Sequence, residues 1–292
     1  MFAVEHAPVA DGLHLAYVRE GEGGYPLLLV HGYPETKRIW WRNIAPLADA
    51  GFEVIVPDLR GYGDSGLAPD GFYDPAVFAH DVYRLVHDVL GHDECATQDL
   101  SLRFPGFVAR QCIFNTITPE LGDVYREAGI APDPDRSMRP TADYFLRQGR
   151  DADALLTELD TPARRRAYIA DFYGHRLWAA PGTFTPDDVD FMTEPFADVD
   201  HLRASWGAYE VACGARGLSE APRLFERSDV PTLVLYGPDD HVIWPNFPDK
   251  CAVAFTECIG PFVVPGAGHF LQWERADVLN NALRYFLADL KR

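Results

Sequence analysis

PLLLVHGYPE, residues 26–35, decides how this chain folds. Its first five residues form a short uninterrupted apolar run, the pattern of a strand buried on both faces as in a parallel sheet. The run stops directly at His31, so a histidine, a glycine and a proline stand at the strand's carboxyl end. In an open parallel sheet that end faces the ligand crevice. Downstream, Lys37–Ala50 carries Trp40, Trp41, Ile44 and Leu47 at helical spacing and predicts a helix ended by Gly51. Phe52–Val56 is a second buried strand, running into PDLRGYGDSG at 57–66. Pro75–Leu90 is an amphipathic helix with Val82, Leu85, Val86 and Leu90 on one face and Gly91 as its stop. Upstream, Leu13–Arg19 alternates as a strand does and is followed by the turn GEGG. Strand, helix, strand, helix predicts an α/β fold with right-handed crossovers.

The remaining chain extends this pattern with one interruption. After Gly91 a strand is due, but HDECATQDLSLRFPGF has only Cys95–Thr97 with strand-like character. Phe107–Phe114 then predicts a strand. From about Thr118 to Leu224 charges and scattered aromatics dominate. Helical patterns fall around Ala142–Arg147, Asp153–Leu159, Arg164–Tyr173 and Leu202–Val211, which predicts a helical insertion. Pro231–Tyr236 and Cys258–Val264 return to buried strands, and Ala276–Leu290 reads as a closing amphipathic helix.

Composition removes several functions. The 292 residues carry a formal charge of −18, which argues against nucleic acid or an anionic membrane as partner. No uncharged apolar run approaches the ~20 residues of a spanning helix, and the start MFAVEHAPVADG lacks the features of a secretory signal. Five cysteines, an odd number without a CxxC pair, predict reduced, packed thiols in a cytoplasmic protein. There is no zinc spacing, phosphate-binding glycine loop or internal repeat.

Three polar motifs follow directly on buried strands: HGYP at 31–34, GPDDHV at 237–242 and GAGHF at 266–270. With DLRGYGDS at 58–65 they carry a resemblance. The chain resembles an α/β-hydrolase, and within that superfamily the epoxide hydrolase branch with its haloalkane and haloacetate dehalogenase relatives. The resemblance implies a mostly parallel central sheet flanked by helices. It implies a core of residues 1–117 and 225–292 and a helical cap of 118–224. By its position in GAGHF, His269 matches the family's base, which needs a neutral imidazole to take a proton from water. Asp240 matches the carboxylate that orients it, with Asp239 one residue away. The backbone N–H of Tyr33 corresponds to half of an oxyanion hole, beside His31 and with Trp40 on the substrate side. Two cap tyrosines hold the epoxide oxygen in the family. Tyr144 and Tyr209 match best, with Tyr168 and Tyr173 as rivals.

The family nucleophile, an Asp in a G-x-Asp-x-G turn between strand and helix, has no counterpart. Gly63-Asp64-Ser65-Gly66-Leu67 belongs to another loop, and Gly217-Leu218-Ser219-Glu220-Ala221 ends the insertion with no strand before it. Asp93 follows a helix stop, and Asp99 is flanked by Gln98 and Leu100; both are weak stand-ins. The simplest reading is a deletion between about Ala96 and Gln98 that removes a strand of ~5 residues and its elbow. The sheet would then be patched by Gly91–Leu102, or the sequence lacks residues of the natural molecule. The resemblance implies an epoxide hydrolase-type reaction, epoxide to diol through an alkyl-enzyme ester that water activated by His269 releases, on a small apolar or aromatic substrate, with no cofactor or metal and a homodimer allowed. The alternatives are a haloalkane or haloacetate dehalogenase and a catalytically inactive hydrolase-fold protein.

Overall fold

The computed structural model describes residues 2–93, 98–133, 143–174 and 178–291, with the side chains of 98 and 99 left aside. Strands β1 (Glu5–Ala10), β2 (Leu13–Glu20), β3 (Tyr25–Leu28) and β4 (Phe52–Pro57) form one sheet in the order β1-β2-β4-β3. The β1, β2 and β4 pairings are antiparallel, and β3 joins β4 in parallel. Strands β5 (Gln111–Phe114), β6 (Thr232–Tyr236) and β7 (Cys258–Val263) form a second, wholly parallel sheet in chain order. Among the described residues no ladder joins β3 to β5. The described strands thus form two sheets, parted at the place where a strand was expected to be absent. Residues 94–97, which hold the strand-like Cys95–Thr97 and most of the stretch where a deletion was expected, lie outside the described residues. Gly91 and His92 hold to the preceding helix through N–H bonds to His87 and Val86 carbonyls, and 98–103 is the helix α3. The described parts of Gly91–Leu102 thus do not patch the sheet.

β4 is buried at every position, as its apolar run requires. Helix α2 (Pro75–Tyr83) starts where Asp74 accepts the amides of Ala76 and Val77, and it passes into a π-helical stretch, Arg84–Val89. The single helix expected over Lys37–Ala50 is instead a 3₁₀ turn, Lys37–Trp40, and a short α1 (Ile44–Ala48). Pro46 is the reason. In a continuous helix it could not donate to the Arg42 carbonyl; here it sits in a first turn, where no donor is needed. The Arg42 carbonyl accepts from the Asn280 side chain instead, at 3.1 Å. β5 is four residues rather than eight, because Pro105 and Gly106 form a turn that lasts to Phe107. β1 was not foreseen: only Ala7 and Val9 of its six residues are buried. The insertion is helical, including α4 (Gly122–Glu127), α5 (Asp143–Arg150), α6 (Ala152–Glu158), α7 (Pro162–Gly174), α8 (Pro186–Thr193), α9 (Val199–Ser205) and α10 (Gly207–Ala212). Buried residues of these helices and of both sheets, such as Phe172, Leu202, Val54 and Leu233, belong to one apolar core.

Candidate active site

The site is built from loops at the carboxyl ends of β3, β6 and β7. After β6, Asp240 is buried, and its carboxylate accepts four hydrogen bonds. Oδ1 takes the amides of Val242 and Ile243 at 2.7 and 3.1 Å; Oδ2 takes Asn115 Nδ2 at 3.0 Å and His269 Nδ1 at 2.8 Å. Burial opposes ionisation, but His269 and these donors outweigh it and hold the carboxyl below the ordinary range. The His269 ring, after β7, would be pulled down by burial; Asp240, by charge and hydrogen bond, outweighs that and raises it. The imidazole carries its Nδ1 proton toward Asp240, and Nε2 has no hydrogen-bond partner among the described residues. Asp240 rather than Asp239 is therefore the acid that reaches the histidine.

The glycines of these loops answer to crowding. A Cβ on Gly268 would lie 2.4 Å from the Trp178 carbonyl, and one on Gly237 2.6 Å from the Ala267 carbonyl. His269 N–H donates to that same Trp178 carbonyl at 2.7 Å, which ties the base to the insertion. Glu274 receives the amides of Gly268 and Ala180, and burial pushes its carboxyl up to about 7.

His269, Tyr33, Tyr144, Tyr209, His31 and Trp40 all line one cavity of about 550 Å³, together with Glu35 and Trp178. Tyr209 lies 5.7 Å, ring to ring, from Tyr144 and 5.1 Å from Tyr33. Burial first, then neighbouring tyrosines, keeps the Tyr209 phenol protonated far above neutrality. The rivals do not border the cavity: Tyr168 OH accepts from Gln148, and Tyr173 OH donates to the Pro34 carbonyl. His31 is a fastener. Its Nδ1–H donates to Gly32 O at 2.8 Å, and its Nε2 accepts the Leu59 amide at 3.0 Å. Burial lowers its pKa, as a neutral ring in that role requires. Asp93 is fully exposed on the surface, away from the cavity, and so is no stand-in nucleophile. The side chain of Asp99 lies outside the described residues.

Sequence reasoning missed three polar residues. Glu35 is buried between the Gly32 amide (2.6 Å) and Gln272 Nε2 (2.7 Å), and burial raises its pKa against the pull of His269. Asn115, at φ 42°, grips both amide groups of Gly237 and the Asp240 carboxylate. Glu274 is the third. Glu35 closes the quoted HGYPE motif, which was the available signal; Asn115 acts through partners far away in sequence, and Glu274 joins the nearby Gly268 to the distant Ala180.

Comparison with known proteins places the chain. The model of the alpha/beta hydrolase family matches residues 27–282. An epoxide hydrolase of Caballeronia sordidicola is 34% identical over 97% of this chain and 93% of its own. The chain belongs to the alpha/beta hydrolase family. Epoxide hydrolase A of Mycobacterium tuberculosis is 27% identical over 96% of each chain. The solved structure of the epoxide hydrolase CorEH superposes with a TM-score of 0.82 at 21% identity, covering 99% of this chain and all of the other. The hydrolase is thus of epoxide hydrolase type, the branch expected from its HGYPE and DLRGYGDS loops. Among the described residues no helix is long and apolar enough to cross a membrane, and no group of side chains could hold a metal ion.

Proposed function

We propose that this hydrolase hydrates small apolar epoxides by direct attack of water, using the base and the acids of the family without its ester-forming step. The observation that carries the reading is the Asp240–His269 pair, 2.8 Å apart, on one cavity with Tyr144 and Tyr209. His269 Nε2 takes a proton from water, and the new C–O bond forms as the ring C–O bond breaks. The epoxide oxygen takes a proton from one of the two phenols, and the imidazolium proton returns through solvent. The N–H of Tyr33 and the Trp40 ring contribute to holding the substrate. Residues 118–224 act as a cap over a core of 1–117 and 225–292.

The test is diol formation from styrene oxide in ¹⁸O-water under single-turnover conditions. Label in the diol at the first turnover, lost with His269→Ala, is the expected result. Unlabelled product, or turnover that survives His269→Ala, overturns it. One observation favours a dehalogenase as the second reading. Trp40 and Trp178 border the cavity, and their buried indole N–H groups have no hydrogen-bond partner among the described residues, which suits halide donors. Bromide release from a bromoalkane exceeding diol formation would install it.

Two finer points belong to the same reading. The described cysteines, Cys112, Cys213, Cys251 and Cys258, are all free thiols, which supports a cytoplasmic setting. Ile259, Phe262 and Val263 are exposed along β7, an edge strand, and this supports a homodimer formed edge to edge. Light scattering of Phe262→Lys as a dimer would exclude that arrangement.

A further inference from the structure

We propose that the gap between β3 and β5 is a binding site for an extended apolar peptide of about five residues, which docks as the strand between the two sheets. The proposal shares its cavity and His269 with the epoxide reading, but it does not rest on that reaction.

β3 and β5 run the same way. His31–Glu35, after β3, and Asn115, after β5, both arrive at the His269 end of the cavity. Their backbone groups are directed. Leu29 N–H bonds to Ile55 at 2.9 Å, toward β4, and Gln111 N–H bonds to Pro231 at 3.0 Å, toward β6. In a parallel ladder successive residues turn to opposite sides. Leu28 and Val30 therefore turn to the gap from one wall, and Cys112 and Phe114 from the other. No described residue pairs with either gap-side edge. These four residues border the same 550 Å³ cavity, a volume within the range of ligand pockets. Two buried side-chain atoms of its lining, Trp40 Nε1 and Gln111 Oε1, also lack a hydrogen-bond partner among the described residues.

A hydrocarbon would satisfy the apolar walls and leave these amides and carbonyls unmet. A peptide strand satisfies both, which is how sheet edges recruit peptides. Each wall is a four-residue strand, ~13 Å at ~3.3 Å per residue, so four residues match it and a fifth reaches the His269 end. Apolar side chains are wanted on both faces, as for any central parallel strand. Charge selects the direction. A peptide inserted parallel to its neighbours brings its terminal carboxylate to His269. At the opposite end, the Arg110 guanidinium is already bound by Asp289 and the Phe286 carbonyl.

The test titrates the full chain with the acid form of acetyl-Glu-Val-Leu-Val-Gly-Ala and reads intrinsic fluorescence and thermal midpoint. Three comparison ligands are the C-terminal amide, a peptide N-methylated at alternate amides, and palmitate. Saturable binding with a raised midpoint is expected, weakened at least tenfold by N-methylation and measurably by amidation. Amide hydrogen exchange of the acid-peptide complex should slow at Leu28 and Cys112. Absence of binding, equal binding of the N-methylated peptide, or palmitate raising the midpoint more than the acid peptide overturns strand docking. Equal affinity of acid and amide overturns the parallel direction.

Discussion

Asp240 shows how much of this site rests on one carboxylate. It is buried, depressed in pKa and bonded to His269, whose own pKa is raised. A raised histidine stabilises the fold fully below its unfolded value and loses that contribution as pH climbs through its folded one; a depressed aspartate does the reverse. The pair therefore stabilises most between the unfolded values of about 3.9 and about 6.5. Asp240→Asn should lower the melting temperature most inside that window and progressively less toward pH 9. A deficit that grows steadily up to pH 9 would contradict the ion pair. In hydration assays the same substitution should cost roughly 10²–10⁴-fold and move the alkaline-rising limb to lower pH, since the imidazole loses its neighbouring charge.

At the scale of elements, the loop after β4 explains the form of its motif. Asp58 accepts the Lys37 amide at 2.7 Å, Lys37 Nζ at 2.5 Å and the Asp64 amide at 2.8 Å, all buried or nearly so. A Cβ on Gly63 would meet the Asp58 carboxylate at 2.2 Å, and Ser65 Oγ both donates to the Asp58 carbonyl and accepts the Ala16 amide. Arg60 forks onto Asp81 at 2.5 and 2.7 Å. Lys37→Met leaves the Asp58 charge buried without its partner and should cost about 3–5 kcal/mol in urea unfolding. A loss below about 1 kcal/mol would mean that the loop tolerates the bare carboxylate. Such loops are legible in sequence because local chemistry dictates them: Asp, Gly and Ser each serve a neighbour within a few residues. The His269 and Asp240 loops were read instead from their resemblance to the family's motifs. Asn115 and Glu274 were not, since nothing local marks an Asn as the clamp on a strand 122 residues away. The break at Pro46 was readable in principle, but which group would satisfy the Arg42 carbonyl depended on Asn280, at the far end of the chain.

Over the whole molecule, the division of the described strands into two sheets changes how parts depend on each other. One sheet is drawn from residues 5–57 and the other from 111–263, and side chains of the loops and helices around them link the two parts. Trp40 packs edge-on against Phe114 at 6.1 Å, Gln272 bonds Glu35 at 2.7 Å, and Asn43 bonds Asn280 at 2.8 Å. A shared ladder would make the two halves melt as one unit; packing of this kind couples them less strongly. Scanning calorimetry should accordingly give an enthalpy larger than the van't Hoff value, resolving into two transitions. Coincident enthalpies in a single sharp peak would show that side chains alone can keep the halves in step. The split sheet is in this sense a hinge in the molecule's cooperativity, where a chain of single-domain length can lose half of its order while the other half stands.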